Sequence, residues 1–140
     1  MAEAILDSSV YIDHWERGLY QESLETLRRA YIIRHSAVVL SELRRGAWDR
    51  DAQRLVARLF ALATVRWEPT VADWWEAGRL VRTIGDKQDW DINKRREFQN
   101  DALIALTVRR HGATVITANA TDFALLRAEL RIAVLPVSEG

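Results

Sequence analysis

Short apolar runs alternate with stretches of three- and four-residue apolar spacing along most of this chain. Ala4-Ile5-Leu6 is too short for a helix and breaks at Asp7, as a buried parallel strand does at its carboxyl edge. Val10, Tyr11, His14 and Trp15 then share one helical face up to Gly18, and Tyr20, Leu24, Leu27 and Tyr31 share another, which predicts two successive helices. The β-branched run Ser36-Ala37-Val38-Val39-Leu40 reads as a second strand that turns to helix over 41–47. A third helix is expected over 51–63, followed by a short strand over 64–67 that Pro69 stops. Thr70 is the expected N-cap of a helix whose apolar face is Val71, Trp74, Trp75, Gly78 and Val81, ending at Gly85. That face puts Trp74 and Trp75 in the core. Residues 86–100 form the least regular stretch. They lead into a clear helix over 100–111 with Gly112 as its stop, a strand over 113–117, a helix over 121–129 and a last strand over 132–136.

Strands alternating with helices predict an α/β fold, a parallel sheet covered by helices on both faces. The 140 residues suit one domain, 1–140, large enough to hold its own core. No internal repeat, low-complexity tract or linker divides it.

Composition excludes more than it identifies. The chain has no cysteine, so disulfide frameworks and thiolate zinc sites are ruled out. His14, His35 and His111 lack the spacing of metal ligands. The acidic opening Met1-Ala2-Glu3 does not read as a secretory signal, and no apolar run has the length of a membrane span, so a cytoplasmic protein without a membrane partner is expected. Twenty basic residues balance twenty acidic ones, which removes any whole-molecule electrostatic argument for nucleic acid. Only Lys87 and Lys94 are lysines, and the remaining basic residues are arginines, whose planar fork suits phosphate and carboxylate.

The chemistry gathers at one edge of the expected sheet. In open α/β sheets the functional crevice lies outside the carboxyl ends of the strands. Asp7 ends the first strand, Glu42 follows the second, Asp101 opens the helix before the fourth, and Asp122 follows that strand's end. Each acid alone has a structural explanation as a cap or a first-turn residue favoured by the helix dipole. Together they share one edge, which caps do not require. Two carboxylates at ~4 Å repel by about 4 kcal/mol at an effective dielectric of ~20, so such a cluster calls for a cation. Oxygen-only ligation selects a hard ion, Mg²⁺ or Mn²⁺, of the kind that keeps water and accepts phosphate oxygens.

The ordered set Ile5-Leu6-Asp7-Ser8-Ser9-Val10, Ser41-Glu42-Leu43-Arg44-Arg45-Gly46, Asn100-Asp101-Ala102-Leu103-Ile104-Ala105 and Thr117-Ala118-Asn119-Ala120-Thr121-Asp122-Phe123 resembles the PIN-domain family, and most closely the VapC-like toxins of toxin–antitoxin pairs. The resemblance implies a three-layer sandwich around a five-stranded parallel sheet. It implies a Mg²⁺-dependent endoribonuclease that cuts single-stranded RNA, frequent homodimers, and a small antitoxin that blocks the acidic site. Asp7, Glu42 and Asp101 match the family's metal-binding acids, and Asp122 matches a more variable fourth, with Asn119 beside it as an alternative. Ser9 and Thr117 match small hydroxyl positions where hydrogen bonds to the carboxylates or to metal-bound water are expected. Arg44, Arg45, Lys94, Arg95 and Arg96 are near enough in sequence to be candidates for the RNA backbone, and Trp90 is a candidate base-stacking surface. Other readings are a processing nuclease outside toxin systems, or a PIN-like module that binds RNA or protein without cutting. The absence of an acid at Ser9, and of phosphate-cradling glycine motifs, argues against phosphotransfer.

Overall fold

A computed structural model describes residues 1–137; the last three residues of the expected 1–140 domain lie outside the described residues. Five strands, β1 (Glu3–Leu6), β2 (Ile32–Ser36), β3 (Arg66–Trp67), β4 (Thr114–Thr117) and β5 (Ala133–Pro136), form one sheet in the order β3-β2-β1-β4-β5. Every pairing is parallel. Seven helices connect them: α1 (Ser8–Arg17), α2 (Gln21–Ala30), α3 (Ala37–Arg45), α4 (Arg50–Leu62), α5 (Val71–Gln88), α6 (Ile92–His111) and α7 (Ala120–Glu129). The first three strands build outward from β1 on one side, and β4 and β5 extend the sheet on the other. Chain order therefore reverses between β1 and β4, where open α/β sheets leave a crevice at their carboxyl ends.

The central strands and α6 carry the core. Ala4, Ile5, Val115 and Ile116 are fully buried, as are Phe98 and the run Ala102 to Ala105 with Val108. The stretch 102–108 of α6 is buried on every side and must be enclosed by other elements; α6 packs against α3, α5, α7 and β4.

Three expectations are corrected. The second strand is not 36–40 but Ile32–Ser36, because Ile32 and Ile33 pair with Glu3 and Ala4. Ser36 then caps α3, its Oγ accepting from the backbone N–H of Val38 at 3.2 Å and Val39 at 3.4 Å. Val39, Leu40 and Leu43 bury a helical face, and this tertiary packing outweighs the strand preference of two valines.

The helix after Thr70 does begin there, with a capping box: the Asp73 N–H donates to Thr70 Oγ1 at 3.1 Å and the Thr70 N–H to Asp73 Oδ2 at 2.9 Å. It buries Asp73, Ala77, Leu80 and Ile84. Trp74 and Trp75, expected in the core, are 51% and 85% exposed. The polar Asp73 can point inward because Arg110 meets its carboxylate, and that pairing rotates the tryptophans outward.

Residues 86–100 are not irregular. α5 continues past Gly85, whose missing Cβ leaves room for the Arg95 guanidinium; a Cβ would lie 3.0 Å from its Cζ. The chain turns at Asp89, in the left-handed conformation (φ 55°), and α6 begins at Ile92 with Asp91 capping the Lys94 N–H at 2.9 Å. Asp101 consequently lies in the middle of a long helix instead of at its start.

Candidate active site

Asp7 leaves β1 at the switch point and is 3% exposed. It stands at the N-cap position of α1 but makes no side-chain cap. Its Oδ2 instead accepts from Ser9 Oγ at 2.8 Å and from Thr117 Oγ1, at the end of β4, at 2.9 Å. Ser9 Oγ in turn accepts from the Ala118 N–H at 3.1 Å, and Thr117 Oγ1 from the Asn119 N–H at 2.8 Å. A hydroxyl has one proton, and here the backbone N–H groups orient both protons onto Asp7. Burial raises the Asp7 pKa, and the bonds from Ser9 and Thr117 oppose that rise.

Glu42, in α3, faces the same space. Ser8 Oγ lies 3.4 Å from Glu42 Oε1 and 3.5 Å from Asp7 Oδ1, bridging the two acids. Burial and then the charge of Asp7 push the Glu42 pKa up to about 7, against a hydrogen bond from the Asn100 side chain and the charge of Arg45. Asp101 is pushed up to about 8, by burial first and then by Asp7, Glu42 and Asp122, with Lys94 opposing. Asp101 thus feels the charge of Asp7, Glu42 and Asp122, and Glu42 that of Asp7. Neither Ser8 nor Asn100 stood out in the sequence, although each directly adjoins an acid that did.

Asp122 lies in the first turn of α7 and is also buried. Asn119 occupies the N-cap position without capping; its Nδ2 donates to Asp122 Oδ2 at 3.0 Å. The same oxygen accepts from Lys94 Nζ at 2.7 Å.

Other basic candidates divide. Arg44, Arg45 and Arg96 are exposed. Arg95 folds back on the α5–α6 turn, donating from Nε to the Trp90 carbonyl at 3.0 Å and from Nη1 to Asp86 at 2.8 Å, a clamp on the hairpin and not a group held out toward a phosphate. Trp90, the expected stacking surface, packs edge-on against Phe98 with ring centroids 4.7 Å apart, and the Lys94 ammonium sits 5.1 Å from its ring.

The donor set is chemically suited to a hard divalent cation: oxygen only, from two buried and two half-buried carboxylates, with Glu42 and Asp101 disfavoured as anions by neighbouring acids. Among the described residues, no three Asp, Glu or His side chains as positioned form a ready metal cage. Asp7 and Asp122 each turn Oδ2 to two protein donors.

A cavity of about 170 Å³ lies between α1, α2 and α4, lined by Val10, Trp15, Leu24, Leu55 and Leu59 with Arg28 and Arg58; none of the four acids lines it. No helix among the described residues is long and apolar enough to cross a membrane.

The family model of the PIN domain matches residues 4–129. No curated protein sequence matches the chain. Solved structures of similar fold include VapBC2 from Rickettsia felis bound to a DNA fragment from its promoter, with 20% identity, a TM-score of 0.69 and coverage of 96% of this chain and 98% of that one. DNA-bound VapBC from Salmonella typhimurium has 17% identity and a TM-score of 0.66, covering 97% of this chain and 98% of that one. VapBC-5 of Mycobacterium tuberculosis, described as a member of a family of toxin–antitoxin systems, has 22% identity and a TM-score of 0.63, covering 98% of this chain and all of that one.

Proposed function

The chain belongs to the PIN-domain family, and from that premise we propose that it is a Mg²⁺- or Mn²⁺-dependent endoribonuclease acting on single-stranded RNA, the toxin of a toxin–antitoxin pair. The observation that carries the reading is the gathering of Asp7, Glu42, Asp101 and Asp122 in one crevice, close enough that Asp7, Glu42 and Asp122 all raise the pKa of Asp101.

In this reading Asp7, Glu42 and Asp101 hold the ion, directly or through water. When bound, a divalent ion offsets their mutual repulsion and supplies a Lewis acid for the scissile phosphate and its attacking water. Ser9 and Thr117 hold Asp7 in one rotamer, leaving Oδ1 turned to the crevice. Ser8 spaces Asp7 from Glu42, and Asn100 orients Glu42 from α6. Asn119 fixes Asp122 at the far wall. Arg44, Arg45 and Arg96, all exposed, are candidates to supply charge for the RNA backbone.

The similar VapBC structures support a small antitoxin as partner. The cavity between α1, α2 and α4 offers such a partner an apolar anchor. A second copy of the chain is the other expected partner, to be tested by the mass of the purified protein in solution.

The test is cleavage of an end-labelled single-stranded RNA, beside DNA of the same sequence. Cutting of RNA that needs Mg²⁺ or Mn²⁺, stops with a chelator and is lost in Asp101→Asn is the expected outcome. Equal cutting by Asp101→Asn, or cutting indifferent to the chelator, overturns the reading.

A further inference from the structure

Lys94 reaches Asp122 from the first turn of α6, and three contacts of its own, with a brace on the neighbouring turn, hold it there. Its backbone N–H is capped by Asp91 Oδ1 at 2.9 Å. Its ammonium stands 5.1 Å from the Trp90 ring, which is braced edge-on by Phe98 in the core. Arg95, one residue on, ties the hairpin turn through the Trp90 carbonyl and Asp86. The ammonium itself is 2.7 Å from Asp122 Oδ2, with the Lys94 side chain 34% exposed and that of Asp122 only 11%.

That oxygen also accepts from Asn119 at 3.0 Å. Two protein donors fill that oxygen, as Ser9 and Thr117 fill Asp7 Oδ2, but only at Asp122 is one of the two a cation, so that its charge is offset within the protein. Glu42 and Asp101, by contrast, take part in no ion pair among the described residues. One corner of the crevice is already neutralised from within, and the other is not.

We propose that Lys94 is a built-in second cation of the crevice: its ammonium occupies Asp122, so the site takes one divalent ion on Asp7, Glu42 and Asp101 instead of two. This rests on the nuclease reading above and deepens it. An ammonium has three N–H donors and Asp122 takes one, so the same group can hold a phosphate oxygen of the RNA beside the ion.

The experiment is calorimetric titration of the full chain with Mn²⁺, without RNA, on the unmodified protein and the variants Lys94→Met, Lys94→Arg, Asp122→Asn and Asp101→Asn. Lys94→Met keeps the aliphatic stem over Trp90; Lys94→Gln replaces it should circular dichroism show misfolding. The unmodified protein is expected to bind one Mn²⁺, Lys94→Met to gain a second, Lys94→Arg to remain at one, and Asp122→Asn to keep one at unchanged affinity. A Lys94→Met titration identical to that of the unmodified protein, or loss of the ion in Asp122→Asn, overturns the proposal while leaving a metal site that needs Asp101. Absence of binding in the unmodified protein overturns both this proposal and the nuclease reading.

Discussion

At the scale of single residues, the web around Asp7 separates a site from a helix cap. Ser9 and Thr117 each pass a hydrogen bond from a backbone N–H to the same buried carboxylate oxygen. Thr117→Val removes a donor to a buried acid and an acceptor for Asn119, and is expected to destabilise the protein by about 1–3 kcal/mol, measurable by denaturant unfolding. The raised acids give a pH signature. The unfolded chain releases the protons of Glu42 and Asp101 near their ordinary values of 4.5 and 3.8, whereas the folded protein keeps them to about 7 and about 8. Between those limits the folded state binds more protons, so their stabilising contribution is full at acid pH and is lost as pH rises toward 8. The metal-free protein is expected to melt higher at about pH 5.5 than at about pH 8, and Asp101→Asn to melt higher than the unmodified protein at the upper pH and flatten the difference. Added Mn²⁺ is expected to stabilise the folded state by binding it, with an effect that grows as the acids ionise, and Asp101→Asn to lose that stabilisation. The four acids stood out from their expected places at one edge of the sheet, and Ser9, Thr117 and Asn119 from the family resemblance. Ser8 and Asn100 could not, because their roles depend on how α1, α3 and α6 converge.

At the scale of elements, the pattern was readable where burial follows one period and misleading where a polar side chain is buried. Thr70 and Gly112 mark helix ends in the sequence, and both stand at the caps in the structure. The α5 face was misread because a sequence pattern ranks Trp74 and Trp75 above Asp73 as core residues. The Asp73–Arg110 pair reverses that order. Leu80→Ala is therefore expected to cost about 2–5 kcal/mol, as a fully buried leucine should. Trp75→Ala, despite the larger side chain, is expected to change stability by no more than about 0.5 kcal/mol. Both are read in the same unfolding experiment. The shift of β2 to Ile32–Ser36 has a similar origin: Ser36 Oγ starts the helix just where the β-branched run begins. No local signal weighs that cap against the valines.

For the whole molecule, the α/β class followed from alternation alone, and the strand order did not. The reversal between β1 and β4 brings the ends of strands more than a hundred residues apart in sequence into hydrogen-bond contact through Asp7 and Thr117. The balanced net charge likewise conceals four acids set close together at one edge of the sheet. A metal-assisted attack on a polyanion calls for such a local concentration of negative charge to hold the ion. The most direct test of that account is induction of the unmodified protein and of Asp101→Asn in a bacterial host, with mapping of newly formed RNA ends. Growth arrest and discrete new ends with the unmodified protein alone are expected. The same new ends with both proteins, or none with either while both are folded and the host contains RNA that the purified protein cuts, would contradict it.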